Sequence, residues 1–289
     1  MKVAVLSSAP ERAEIYAEPL RDLPDVDLLA ADSWDALFAA RPAAVVVTGE
    51  VDRRLELVQR AAEAGAHVLC EYPPAAKEAD LRAMVDACDG VRLTFASPAC
   101  YGEAFAVVRK GIADGIVGEL TTVLGSLETS ADGGTLGATA PYLLDLVDAV
   151  LDGEPAQQVY AQTNNVLNGQ EAESAAVLTV RYRSGKVASF DCSRSVSATG
   201  WPAVTFIGDK ASVAYDAGPR LLGGFDAALG GERREPGGED LYALLLKDFL
   251  GDGGGLGPDG QAALRTARIV QAAYESAHTG QPVDLPPGS

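Results

Sequence analysis

The spacing of apolar residues changes character once along the chain. Over the first 97 residues, short apolar runs alternate with stretches in which apolar positions recur every three or four residues. The runs at 2–6, 26–31, 43–48, 67–70 and 91–95 predict buried strands, and the periodic stretches at 10–20, 33–40, 51–64 and 77–87 predict helices. Pro10 suits a first helical turn. Asp32 or Ser33 suits an N-cap, and Gly65 suits the stop before the strand at 67–70. Strand and helix in alternation at this spacing predict an α/β unit, a Rossmann-like, doubly wound parallel sheet.

Beyond residue 97 the pattern shifts toward strands. A helix at 101–113 is followed by Gly115 and Gly118 and a long strand at 120–128. A glycine-rich turn, Asp132-Gly133-Gly134, leads to a helix expected to start at Pro141 and run to 151. Alternating runs at 158–163, 175–183, 186–192, 203–207 and 212–215 predict strands, with Ser184-Gly185 as a hairpin turn. In that hairpin Leu178, Val180 and Tyr182 share one face, while Thr179, Arg181 and Arg183 share the other. Arg181 and Asp191 fall on its opposite strands and are expected to form a cross-strand pair or an oligomer contact. Helices at 240–250 and 261–277 close the chain. This half reads as α+β, an open, mostly antiparallel sheet backed by helices. The expected division is 1–97 and 98–289, with the last helix packing back on the first unit. An open sheet face makes a homodimer the expected assembly.

Composition narrows the class. At 289 residues and 47% hydrophobic the chain is globular. A net charge of −18 speaks against nucleic acid and anionic membranes as partners. No apolar run approaches the roughly 20 residues of a membrane span. The four cysteines, Cys70, Cys88, Cys100 and Cys192, show no paired spacing, and with two histidines a structural metal site is not expected. A cytoplasmic protein acting on a small molecule fits these bounds.

Candidate chemistry gathers at Ala64 to Pro73, where a helix, a glycine and a strand run into Glu71-Tyr72-Pro73. A parallel sheet delivers side chains to a cleft at this carboxyl edge, and Tyr72-Pro73 is a candidate cis bond. Together with Gly115-Ile116-Val117-Gly118-Glu119-Leu120, Gly133-Gly134-Thr135-Leu136 before Pro141-Tyr142-Leu143-Leu144-Asp145, and the ending from Ala272 to Pro282, this stretch resembles the Gfo/Idh/MocA family of nicotinamide oxidoreductases. The resemblance spans nearly the whole chain and implies a cofactor, NAD(P), and a Lys/Asp/His catalytic set. This sequence departs from that set. Tyr72 stands at the lysine position, Tyr142 at the histidine and Ala138 near the aspartate. Glu-Tyr-Pro is similar to the biliverdin reductase branch, which also lacks the lysine and histidine. Glu71, Tyr72, Tyr142 and Asp145 are therefore the candidate catalytic residues.

The cofactor loop departs further. Where a dinucleotide site needs three glycines, the chain has Ser7-Ser8-Ala9-Pro10-Glu11-Arg12. Pro10 removes an N–H and Glu11 brings negative charge to the helix start. Arg12 is a candidate phosphate ligand or a solvated charge, and Asp32 a candidate ribose ligand or a helix cap. Thr48 and Gly49 complete the expected cofactor edge. Three readings stand: an NAD(P)-dependent reductase of a conjugated or imine-like substrate, a cofactor-free isomerase, cyclase or lyase, and a non-catalytic partner subunit.

Overall fold

A computed structural model describes residues 1–31, 33–130, 134–166, 172–195, 198, 200–218, 239–251 and 255–286. Asp32, Asp132, Gly133 and the glycine pairs at 223–224 and 230–231 lie outside the described residues.

Strands β1 (Lys2–Leu6), β2 (Asp27–Leu29), β3 (Ala44–Val47), β4 (His67–Glu71) and β5 (Leu93–Ala96) form a parallel sheet in the order β2-β1-β3-β4-β5. Helices α1 (Pro10–Arg21), α2 (Trp34–Ala39), α3 (Val51–Glu63) and α4 (Glu78–Ala87) connect them. Successive strand residues point to opposite faces, and both faces are covered, which is why the strands read as continuous apolar runs. Val3, Ala44, Val46 and Leu69 pack with Tyr16 and Leu20 of α1. Ala4, Val45, Val47 and Val68 pack with Leu57 and Val58 of α3 and with Leu81 and Met84 of α4.

A 3-10 turn, Pro98–Tyr101, and α5 (Glu103–Ala113) lead into β6 (Leu120–Thr129) and α6 (Thr135–Leu151). Then come β7 (Ala156–Asn164), β8 (Ala175–Tyr182), β9 (Val187–Arg194), β10 (Ala203–Gly208) and β11 (Ser212–Asp216), followed by α7 (Leu241–Leu250), α8 (Gly260–Thr279) and a short β12 (Val283–Asp284). The second sheet runs β11-β10-β6-β9-β8-β7-β12, antiparallel except where β6 and β9 pair in parallel. Leu178, Val180 and Tyr182 are buried as the alternation requires, while Leu124 and Val177 stand exposed on the sheet. Helix α8 sends Ala263 and Leu264 into the core beneath the first sheet, and the Phe95 N–H donates to the Pro258 carbonyl.

Two expectations are corrected. Arg181 faces Val187, and Asp191 faces Val177, so these two residues are four positions out of register and form no cross-strand pair. Helix α6 starts at Thr135, with Pro141 inside it. Its first turn is held from a distance. The Glu173 side chain accepts from the Leu136 N–H at 3.0 Å, and the Tyr274 hydroxyl bridges Glu173 to the Gly137 N–H, both at 3.0 Å. Orphan N–H groups at a helix start are satisfied here by residues 37 and 137 positions away. Glu173→Ala is accordingly expected to cost about 1 kcal/mol. Urea unfolding checks this, and an unchanged midpoint would show that the cap contributes nothing.

Candidate functional site

Strand β4 ends on Glu71, and the next bond, Tyr72–Pro73, is cis. Glu71 is buried, so its charge must be met inside the protein. Four side chains meet it. Arg12 from α1 pairs with Oε1, and the Tyr16 hydroxyl donates to the same oxygen at 3.3 Å. The Thr48 hydroxyl and Arg54 Nη2, the latter at 3.3 Å, donate to Oε2. Arg54 does more than neutralise: its guanidinium also donates to the carbonyls of Gly49, Glu71 and Pro73. One buried arginine therefore ties the loop after β3 to the turn after β4.

The first loop stands next to this hub. In the parallel sheet, α1 returns to β2 on one side of β1 and α3 leads to β4 on the other, so the crevice between β1 and β3 is the topological switch point where open α/β sheets take ligands. Here the first loop lies against the loop after β3. Ser7 Oγ and the backbone of Ala9 bond to each other at 2.9 and 3.1 Å. Gly49, at φ +87°, lies so close that an added Cβ would sit 3.0 Å from Ser7 Oγ and 3.2 Å from the Ser8 nitrogen. Ala9 N-caps α1 without a side-chain bond, Pro10 brings no donor, and Glu11 occupies the first turn. Arg12, though 45% exposed, is paired with Glu71. These residues do not fit a dinucleotide pyrophosphate, which needs free N–H groups, space and no nearby anion.

Tyr72 turns away from the Glu71 hub toward α6. Its hydroxyl donates to Asp145 Oδ1 at 3.1 Å, and the Thr266 hydroxyl from α8 donates to the same oxygen at 3.2 Å. Asp145 is buried, and among the described residues its Oδ2 has no partner within hydrogen-bond geometry. Burial raises the Asp145 carboxyl to about 7, against the opposing pull of the nearby Ser97 hydroxyl, Tyr72 and Thr266. Burial and the Asp145 charge push the Tyr72 phenol well above its ordinary value. Tyr142 packs its ring on Tyr72 edge to face, with centroids 5.6 Å apart, and burial raises its phenol as well. Tyr142 and Asp145 thus share one helix but play different parts: the carboxylate holds hydrogen bonds, and the phenol packs. Cys100 is buried at the junction, and burial raises its thiol, which suits a packed cysteine rather than a nucleophile.

A cavity of about 780 Å³ opens against the turn, walled by Tyr72, Pro73, Pro141, Ala263, Thr266 and Tyr274. Its size is that of a small-molecule site. A larger, more open groove of about 1410 Å³ is lined by Asp145 itself, together with Cys100, Asp148 and Arg265. Several of its charges pair with one another, as in Arg265–Asp148 and Lys186–Glu154. No helix among the described residues is long and apolar enough to cross a membrane.

The sequence reading missed Arg54, Thr266 and Tyr16. For Arg54 a signal was present. It shares the buried face of α3 with Leu57, Val58 and Ala61, at the i, i+3, i+4, i+7 spacing of an apolar stripe. A charge on such a stripe calls for a buried partner. Thr266 and Tyr16 sit on helices far from the turn in sequence, and their positions carried no local sign.

Residues 2–97 match the oxidoreductase family described by its NAD-binding Rossmann fold, and residues 105–214 match the GFO/IDH/MocA C-terminal domain. Similar solved structures include GenD2 from gentamicin A biosynthesis in complex with NAD, 20% identical with a TM-score of 0.83 over 99% of this chain and 96% of that one. The WlbA dehydrogenase from Bordetella pertussis, in complex with NADH and UDP-GlcNAcA, is 20% identical with a TM-score of 0.80 over 99% and 98%. A myo-inositol dehydrogenase from Corynebacterium glutamicum is 18% identical with a TM-score of 0.81 over 100% and 99%. At these identities the likeness establishes a shared fold. With both family domains matched in order along the sequence, the chain belongs to the Gfo/Idh/MocA oxidoreductase family.

Proposed function

We propose that this chain is a cofactor-independent member of its family that moves a proton on a small molecule bound against Tyr72, in an isomerisation, cyclisation or elimination. One observation carries the reading. Tyr72 and Thr266 both line the 780 Å³ cavity, and both donate to the same oxygen of a buried carboxyl group, Asp145. A carboxyl raised to about 7 holds or releases a proton near neutral pH, where general acid–base catalysis is most effective. In the forward step the Tyr72 oxygen takes a proton from the substrate while the phenol passes its own to Asp145. The tyrosine stays neutral throughout, in keeping with its raised ionisation, and Asp145 becomes the acid that returns the proton. Glu71, with four donors on its two oxygens, holds the turn instead of reacting.

Titration with NADH and NADPH tests the cofactor half of this reading. We expect no saturable binding up to millimolar nucleotide by calorimetry. Micromolar binding would overturn it.

A second reading keeps the family chemistry: an NAD(P)-dependent reductase of a conjugated or imine-like substrate. It is supported by the family match and by two similar structures solved with NAD or NADH. The Arg12 side chain, 45% exposed at the first turn of α1, would meet phosphate on leaving Glu71. The same titration separates the two readings.

A further inference from the structure

The cavity at the Tyr72–Pro73 turn has a charge pattern that its chemistry leaves unused. Its walls are mostly apolar: Pro73, Pro74, Leu81, Pro141, Ala267 and Val270. Lys77 and Arg82 stand at its edge. Glu78, also on the wall, is shared between Arg82 at 2.7 Å and Arg268 at 3.0 Å. Lys77 is exposed, and its side chain makes no ion pair or hydrogen bond with a described residue, while its carbonyl accepts from the Asp80 and Leu81 N–H groups. Among the residues lining the cavity, two cations, Lys77 and Arg82, stand with one carboxylate, Glu78, and leave a local excess of one positive charge, in a protein whose net charge is −18. An excess of this sign beside an apolar cavity, against the charge of the whole molecule, marks a place for an anion attached to an apolar body.

We infer that the cavity takes an amphipathic monoanion, an aryl or alkyl carboxylate, whose apolar part lies between α4 and α8 and whose carboxylate meets Lys77 and Arg82. This rests on placing the ligand in this cavity, as the proposed function does, and names the class of molecule it holds. The apolar part contributes the larger share of binding through buried area. The ion pair, half exposed to water, supplies selectivity rather than most of the affinity.

The test uses the full chain and three probes of one shape: 4-phenylbutyrate, 4-phenylbutyramide and 4-phenylbutylamine, titrated by NMR chemical shift. We expect the carboxylate to bind with shifts centred on Ala75, Ala267 and Val270. The amide should bind about three- to ten-fold more weakly, and the amine more weakly still, as the worth of a partly exposed ion pair implies. The surface double variant Lys77→Gln, Arg82→Gln should bring the carboxylate to the affinity of the amide and leave the amide unchanged. Equal binding of carboxylate and amide to the unaltered protein would overturn the anion assignment while the cavity stood as the ligand site. Shifts elsewhere, or no binding by any of the three, would overturn the site itself. Neither result depends on proton transfer, which is read separately from Tyr72 and Asp145 variants.

Discussion

Replacing Arg54 by methionine is expected to destabilise the fold by about 3–5 kcal/mol, since removing one partner of a buried ion pair leaves the other charge uncompensated. Arg54 is 3% exposed and its guanidinium meets Glu71 and three backbone carbonyls. Methionine keeps much of the volume on the apolar face of α3 and removes all four bonds. Glu71 would retain Arg12, Tyr16 and Thr48, but the carbonyls of Gly49, Glu71 and Pro73 would lose their shared donor, at the cost of buried unpaired acceptors. Urea unfolding at neutral pH measures the change. A loss below about 1 kcal/mol, the worth of an exposed pair, would show that Arg12 alone holds Glu71 and that the turn is not built on Arg54.

The second large effect belongs to Asp145→Asn. Once a substrate is in hand, the variant should turn over about 10²- to 10⁴-fold more slowly, the usual contribution of a positioned acid–base group. Tyr72→Phe should lose a similar factor, and the two losses should not add, because one relay needs both. Stability supplies a readout that requires no substrate. The folded protein raises the Asp145 carboxyl from the ordinary carboxylate range to about 7. The folded state therefore holds this proton more tightly than the unfolded chain, so its stability falls as pH rises from about 4 to about 7. Asparagine removes that slope. Relative to the unaltered protein, Asp145→Asn should gain on the order of a few kcal/mol between pH 4 and pH 8. Parallel stability curves for the two proteins over that range would overturn the placement of a neutral carboxyl group at this position.

Most of the scaffold was legible because its signals are local. The strand at Ala44–Val47 and the helix at Val51–Glu63 follow from apolar spacing over a dozen residues. So does the turn at Tyr72–Pro73, whose cis bond was expected from a proline at a strand end. The start of α6 was misread because Pro141 looks like a first-turn residue, while the groups that hold the true start, Glu173 and Tyr274, come from later elements. The pairing of Arg181 with Asp191 failed for a similar reason. The strands were right, but their register is set across the sheet, and Arg181 faces Val187.

The site divides in the same way. Residue identities alone determined what the cleft lacks: no lysine before the proline, no histidine on α6, and no glycines between Ser7 and Arg12. The alternation of strands and helices alone determined that Glu71 and Tyr72 stand at a sheet's carboxyl edge. Tertiary structure decided what the remaining residues do. Glu71 and Tyr72 are adjacent in sequence, yet successive side chains at a strand end point to opposite sides. One meets Arg12, Thr48 and Arg54 to hold the turn, and the other meets Asp145 from α6 beside Thr266 from α8. Those partners lie between 17 and 121 positions apart in sequence. Burial by packing from both halves of the chain, a quantity no single stretch of sequence contains, is what raises Asp145.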